Sequence, residues 1–105
     1  MALSGTAGSN GGNIHFSGTI AAQGQYAFTS SFRSDAGTVS ATLDVPAGTR
    51  WRFAADDVST NQAIAEQDGG GPLTISFAAN ANDSYNFFVE ATAGSGAWSI
   101  SGSHP

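Results

Sequence analysis

Apolar and polar residues alternate with a period of two along most of this chain, and the alternation restarts about every ten residues after a cluster of Gly, Pro, Asn or Asp. Ile14 and Phe16 alternate with His15 and Ser17, and Tyr26 and Phe28 with Ala27 and Thr29, which predicts two early strands. Val39, Ala41, Leu43 and Val45 make the most regular apolar face, and the turn residues Pro46-Ala47-Gly48 end it. Trp51, Phe53 and Ala55 then alternate with Arg50, Arg52 and Ala54 until Asp56-Asp57 breaks the run, and a stretch from Gln62 to Glu66 reads as a weakly paired edge strand. Past Asp68-Gly69-Gly70-Gly71-Pro72 come Leu73, Ile75 and Phe77, then Tyr85, Phe87, Val89 and Ala91, and last Trp98 and Ile100 after Gly94-Ser95-Gly96. No segment carries a sustained 3.6-residue apolar stripe bounded by caps. The pattern predicts an all-β chain, an antiparallel β-sandwich of jelly-roll or Ig-like type with about eight strands.

A length of 105 residues suits one core and is short for two. Residues 1–12, ending in Ser9-Asn10-Gly11-Gly12, combine small and polar residues without a period and read as a flexible leader or linker; residues 13–105 read as a single sandwich domain. The 14 glycines agree with frequent turns.

Charge narrows the partners. Only 10% of residues are charged, lysine is absent, and the basic residues are Arg33, Arg50 and Arg52, for a formal net charge of −5. Phosphate recognition needs several Lys or Arg side chains on one face, so nucleic acid is not an expected partner, and an anionic membrane surface is disfavoured for the same reason. Met1-Ala2-Leu3 is followed by no signal-peptide apolar stretch, and no apolar run reaches the roughly 20 residues of a membrane-spanning helix. The low charge and the abundance of Gly, Ser, Thr and Asn resemble secreted bacterial modules, so an extracellular location is expected. Cysteine is absent, which removes disulfides, thiolate nucleophiles and cysteine metal sites.

Catalytic constellations are sparse. A Ser-His-acid triad has only His15, in an early strand, and His104, beside the C-terminus and expected to fray, to draw on. Asp56 and Asp57 are adjacent at a strand end, and Glu66, Asp68 and Glu90 have no recognisable acid–base context, so a glycosidase pair is not expected. The chain reads as a non-enzyme. If consecutive strands run antiparallel, alternate loops share one end of the sandwich and bring together Asp35, Asp56, Asp57, Asn80, Asn82 and Asp83. These are hard oxygen donors of the kind calcium takes, and Asp56, Asp57, Asn82 and Asp83 are the expected ligands of a structural calcium; Asp and Asn are also ordinary turn formers.

The aromatic residues carry the binding expectation. A pyranose ring presents a patch of C–H groups that packs on Trp or Tyr while its hydroxyls find polar partners. Trp51 and Trp98 are the first candidates by type, although Phe53 and Ile100 share their alternation faces and so offer core packing as the other reading. Phe88 lies on the alternation face of Asn86 and Glu90, opposite Tyr85, Phe87 and Val89, which makes it a candidate exposed aromatic; Tyr26 is a second. Arg52, Asn86 and Glu90 are the expected hydrogen-bonding neighbours.

Two family resemblances extend over roughly residues 24–103. Thr38-Val39-Ser40-Ala41-Thr42-Leu43-Asp44-Val45-Pro46-Ala47-Gly48-Thr49, followed by Ser84-Tyr85-Asn86-Phe87-Phe88-Val89 and Gly94-Ser95-Gly96-Ala97-Trp98-Ser99-Ile100, resembles bacterial pre-peptidase C-terminal domains, with Arg50-Trp51-Arg52-Phe53 in place of the acidic pattern expected after the proline turn. The general character also resembles the small β-sandwich carbohydrate-binding modules of bacterial plant-cell-wall enzymes, which are often calcium-stabilised. The second resemblance implies a non-catalytic module that binds a β-linked plant polysaccharide, such as cellulose chains or xyloglucan, and is tethered to a catalytic glycoside hydrolase domain. The first implies a structural or interaction spacer without a sugar site.

Overall fold

The structure is a computed structural model and describes residues 3–7 and 12–105, with side chains from residue 12 onward. Among these residues ten strands pair antiparallel in two sheets. In the first sheet β1 (Leu3–Ala7), β2 (Gly12–Ile20), β10 (Gly96–His104), β5 (Gly37–Asp44) and β8 (Leu73–Ala79) lie side by side in that order. In the second, β3 (Tyr26–Phe28) and β4 (Phe32–Ser34) both pair with β9 (Asp83–Ala93), which is followed by β6 (Arg50–Asp57) and β7 (Gln62–Gly69). The order β2-β10-β5-β8 facing β3/β4-β9-β6-β7, with the chain repeatedly crossing from one sheet to the other, is a jelly roll.

The period-two pattern supplies the core directly. Val39, Ala41 and Leu43 of β5 and Ile14 and Phe16 of β2 face Phe53, Ala55, Phe87 and Val89 of the second sheet, and all are buried in one apolar cluster. Tyr85 joins that cluster because its polar end is served: its hydroxyl oxygen accepts the Asn80 N–H at 2.8 Å. Gly102 of β10 has a separate steric reason. A Cβ there would lie 2.8 Å from Ala41 Cα and closer still to the Ser40 carbonyl oxygen, so the β10–β5 pairing admits no side chain at that position.

Three features differ from the expectations. Leu3–Ala7, expected within a leader, pairs with Ile14–Gly18 as an edge strand; residues 1, 2 and 8–11 of that leader lie outside the described residues. The Tyr26–Thr29 strand continues beyond Ser30-Ser31 as a second short segment, because Thr29 interrupts the ladder: its Oγ1 accepts the Phe87 N–H at 3.0 Å and donates to the Ser30 carbonyl at 3.0 Å. His104 does not fray. It ends β10 in a buried position with its ring 5.0 Å from Phe32 and Nδ1 3.1 Å from the Pro105 carbonyl oxygen.

Candidate functional site

The two tryptophans expected to form a stacking platform are core residues: Trp51 is 0% and Trp98 2% exposed. Each follows its apolar neighbour inward, Trp51 with Phe53 and Trp98 with Ile100, so the alternation face decides their position. Burial of Trp51 is made inexpensive by a local hydrogen-bond chain, in which its Nε1–H donates to Thr49 Oγ1 at 2.8 Å and that hydroxyl donates to the Pro46 carbonyl at 2.6 Å. Trp98 Nε1 is buried with no acceptor among the described residues. Neither indole offers a face to a ligand.

The exposed aromatic surface lies on the outward face of the second sheet. Tyr26 is 55% and Phe28 50% exposed, and Phe88 of the neighbouring β9 is half-buried between them. Ring centroids are 5.6 Å apart for Tyr26–Phe88 with planes tilted 35°, 5.1 Å for Phe28–Phe88, and 6.0 Å for Tyr26–Phe28 in an edge-on arrangement. Strand register explains the convergence. Phe28, Phe88, Ala54 and Glu66 form one row across β3, β9, β6 and β7, and Tyr26, Glu90, Arg52 and Asp68 form the next. Ala54 is buried at 3% yet stands apart from the core cluster, which places it under the outward row beside Phe88.

Arg52 is the hub of the second row. Its Nε lies 3.3 Å from Glu66 and 3.6 Å from Asp68, and its Nη1 3.7 Å from Glu90. Such exposed pairs contribute about 0–1 kcal/mol each, so the network orders the rim of the aromatic patch more than it stabilises the fold. Asn86 and Asp56 pair across β9 and β6 on the far side of Ala54. Burial, and secondarily the charge of Glu66, pushes the Asp56 carboxyl up from 3.8. A raised carboxyl beside a second carboxylate is the chemistry of a general acid, but Glu66 is committed to Arg52, and the groove of about 340 Å³ that Glu66 lines between β7 and β8 does not include Asp56.

The sequence-predicted binding set is therefore divided. Tyr26, Phe88, Arg52, Asn86 and Glu90 share this face, and Trp51 and Trp98 do not. Phe28 completes the aromatic trio and was not among the expected residues. Its strand is inverted relative to the apolar rule, with the small Ala27 and Thr29 buried and the large Tyr26 and Phe28 outside.

The four expected calcium ligands are divided as well. Asp56 and Asp57 are successive residues of β6, which stays in continuous register with β9 through both, so they point to opposite sides of the strand; the β-bulge opposite them leaves Ile64 of β7 without a partner. Asp57 and Asp83 do meet, at the end of the sandwich where the Tyr85 hydroxyl also lies. The Ser59 hydroxyl holds the Asp57 carboxyl below 3.8, against the opposing effect of burial, with the Asp83 carboxyl and the Ser59 and Thr60 N–H groups adding to the lowering. Asp57 Oδ1 accepts from both the Ser59 hydroxyl at 2.7 Å and the Ser59 N–H at 3.0 Å. Burial raises the Tyr85 hydroxyl, and the carboxylates of Asp83 and Asp57 add to that against the Asn80 N–H. Asn82 is exposed with a positive φ of 61°, and its N–H donates to the Ser34 carbonyl at 2.8 Å. Among the described residues no three His, Asp or Glu side chains are grouped to hold a metal ion. The expected four do not gather as one set, because Asp56 faces away from Asp57 and Asp83, and Oδ1 of Asp57 is already engaged by a serine turn.

No protein-family model and no curated protein matches the chain. Among solved structures it is similar to the Yersinia pseudotuberculosis-derived mitogen, with a TM-score of 0.60 and 15% sequence identity over 90% of this chain and 87% of that one. This likeness shows the fold alone. It supports a small all-β domain and carries neither the carbohydrate-binding-module nor the pre-peptidase resemblance.

Proposed function

We propose that this domain is a non-catalytic, extracellular binding module that takes a neutral β-linked polysaccharide chain across the outward face of its second sheet. The observation that carries the reading is the trio Tyr26, Phe28 and Phe88, which stays accessible on one face and is bordered by hydrogen-bonding side chains in the adjacent row. Sugar C–H faces would pack on Tyr26 and Phe28, whose area is already outside the core. Glu90, Arg52 and Asn86 would meet the hydroxyls from the flanks. The 35° tilt between Tyr26 and Phe88 favours a twisted single chain over a flat crystalline surface. A tether to a glycoside hydrolase would convert weak stacking into a high local concentration of enzyme on the polymer.

Affinity electrophoresis in gels containing β-glucan, xyloglucan, xylan or mannan tests this. Retardation in at least one gel, lost in Tyr26→Ala and Phe28→Ala variants whose far-ultraviolet circular dichroism is unchanged, is the expected result. Normal migration of the parent in every gel overturns it.

A second reading, an interaction domain that docks a protein on the same face, is favoured by one specific observation. Phe28 and Phe88 have no polar group at the ring tip, and an apolar patch of this kind also suits a protein partner. Failure of all four gels transfers the proposal to this reading.

A further inference from the structure

We infer a second ligand site, on the opposite sheet, for a single neutral sugar unit. The site is a groove of about 620 Å³ at the end of the first sheet, where β2, β10 and β5 run out under the Val45–Pro46 turn. That volume falls within the roughly 300–1,000 Å³ of small-molecule sites.

Register builds the groove. Ser17, Ser99 and Asp44 form one cross-strand row on β2, β10 and β5, and Thr19 and Ala97 form the next. Beyond Asp44 strand β5 ends, so the second row has no β5 member and stops at the small Ala97. Between the two rows, Gly18 and its partner Trp98 belong to the inward face, so only their backbone borders the groove. Val45 and Pro46 close the far side, and Pro46 is fixed there by close packing on Gly96, where a Cβ would lie 2.8 Å from Pro46 Cγ.

The lining selects the ligand class. Asp44 is exposed and has no ion-pair partner among the described residues, and every arginine of the chain lies in the second sheet, Arg33 on β4 and Arg50 and Arg52 on β6. An anionic ligand would meet one carboxylate and no countercharge. The remaining polar groups, Ser17, Thr19 and Ser99, are hydroxyls that both donate and accept. A carboxylate accepts two parallel donors, and a vicinal diol presents two hydroxyl donors at the matching separation. Pro46 and Val45 supply the apolar wall against which the C–H side of a hexose or pentose packs. This site stands independently of the aromatic face, and the two can fail separately.

The test is titration of the ¹⁵N-labelled domain with D-glucose, D-xylose, D-mannose and D-galactose, read from amide chemical shifts. Methyl β-glycosides of each are added to separate a chain terminus from a free sugar. Saturable shifts at Thr19, Ala97 and Ser99 from at least one of these compounds, weakened about tenfold or more by Asp44→Asn and by the groove-filling Ala97→Leu, and retained in Tyr26→Ala, are expected. Both groove substitutions are at exposed positions, and an unchanged amide spectrum elsewhere reports the intact fold. Absence of saturable shifts from every compound, shifts undiminished in both groove variants, or shifts lost in Tyr26→Ala overturns the inference.

Discussion

Across the outward face of the first sheet the rows read Asn13–Ser103–Ser40–Ser76 and His15–Ser101–Thr42–Thr74; across the second they read Tyr26–Glu90–Arg52–Asp68 and Phe28–Phe88–Ala54–Glu66. The inward rows of both sheets are alike, apolar and buried, because either sheet must fill the same core. The outward rows are free of that demand, and they diverge. Hydroxyl-rich rows keep one face wet and free of exposed rings, with a Thr42–Thr74 hydrogen bond at 2.9 Å as their cross-strand link. The other face gathers exposed rings and charges. Exposed aromatic area favours unwanted association, so among the described residues its gathering on one face, in a chain with only 10% charged residues, is the feature on which the proposed binding role rests.

The largest effects should come from the inward rows beneath the two faces. Trp51→Ala and Trp98→Ala should each cost about 3–5 kcal/mol, a large part of the stability of a domain this size, measured by urea unfolding. The milder Trp→Phe pair sharpens the contrast. Trp51→Phe also loses the hydrogen bond to Thr49, whereas Trp98 Nε1 has no acceptor among the described residues to lose. Trp51→Phe is therefore expected to cost about 1 kcal/mol more than Trp98→Phe. Equal losses would mean that the indole of Trp98 is satisfied in solution.

A smaller effect is expected on the outward rows. Arg52→Gln should change stability by less than about 1 kcal/mol, since its pairs are exposed, and the change should shrink further in high salt. Thr42→Val on the hydroxyl face removes a hydrogen bond that does not depend on charge, and its effect should be insensitive to salt. A salt-independent loss in Arg52→Gln would assign the side chain to packing on the aromatic row instead of to its carboxylates.

The jelly-roll core was legible because its information is local: Val39-Ala41-Leu43 and Tyr85-Phe87-Val89 declare their buried side by alternation, and Trp51 and Trp98 obey the same rule through Phe53 and Ile100. Phe88 was legible as an exception, an aromatic on the face of Asn86 and Glu90. Phe28 was not, because in a three-residue strand the burial of Ala27 and the hydrogen bonds of Thr29 outweigh the apolar pattern. The acidic end of the sandwich was misjudged for a different reason. Asp56 and Asp57 still belong to β6, so the alternation that turns Phe53 and Ala55 inward sends Asp57 with them and Asp56 to the other face; reading the pair as the break at the strand end placed both in one loop cluster. The groove beside Asp44 was not legible because it depends on Thr19 and Ala97 arriving next to it from distant strands.

Alternation along β6 gives these two adjacent aspartates opposite pH behaviour. Asp56 is pushed above 3.8 in the folded chain, so its ionisation costs stability once the pH exceeds its unfolded value, and the full cost is present above the raised folded value. Asp57 is held below 3.8, so its contribution is present above the unfolded value and is lost as the pH falls through the lowered folded one. Asp56→Asn should therefore raise the urea midpoint at neutral pH, and Asp57→Asn should lower it. Both differences should shrink as the pH falls toward and below the ordinary carboxylate range, measured from about pH 7 to about pH 3. Two differences of the same sign at neutral pH would show that the two carboxyls do not lie on opposite sides of β6 in solution. In that case Asp56 would lie with Asp57 and Asp83 at the end of the sandwich instead of beside Glu66 on the aromatic face, and the division of charge between the two sides of β6 would have to be redrawn.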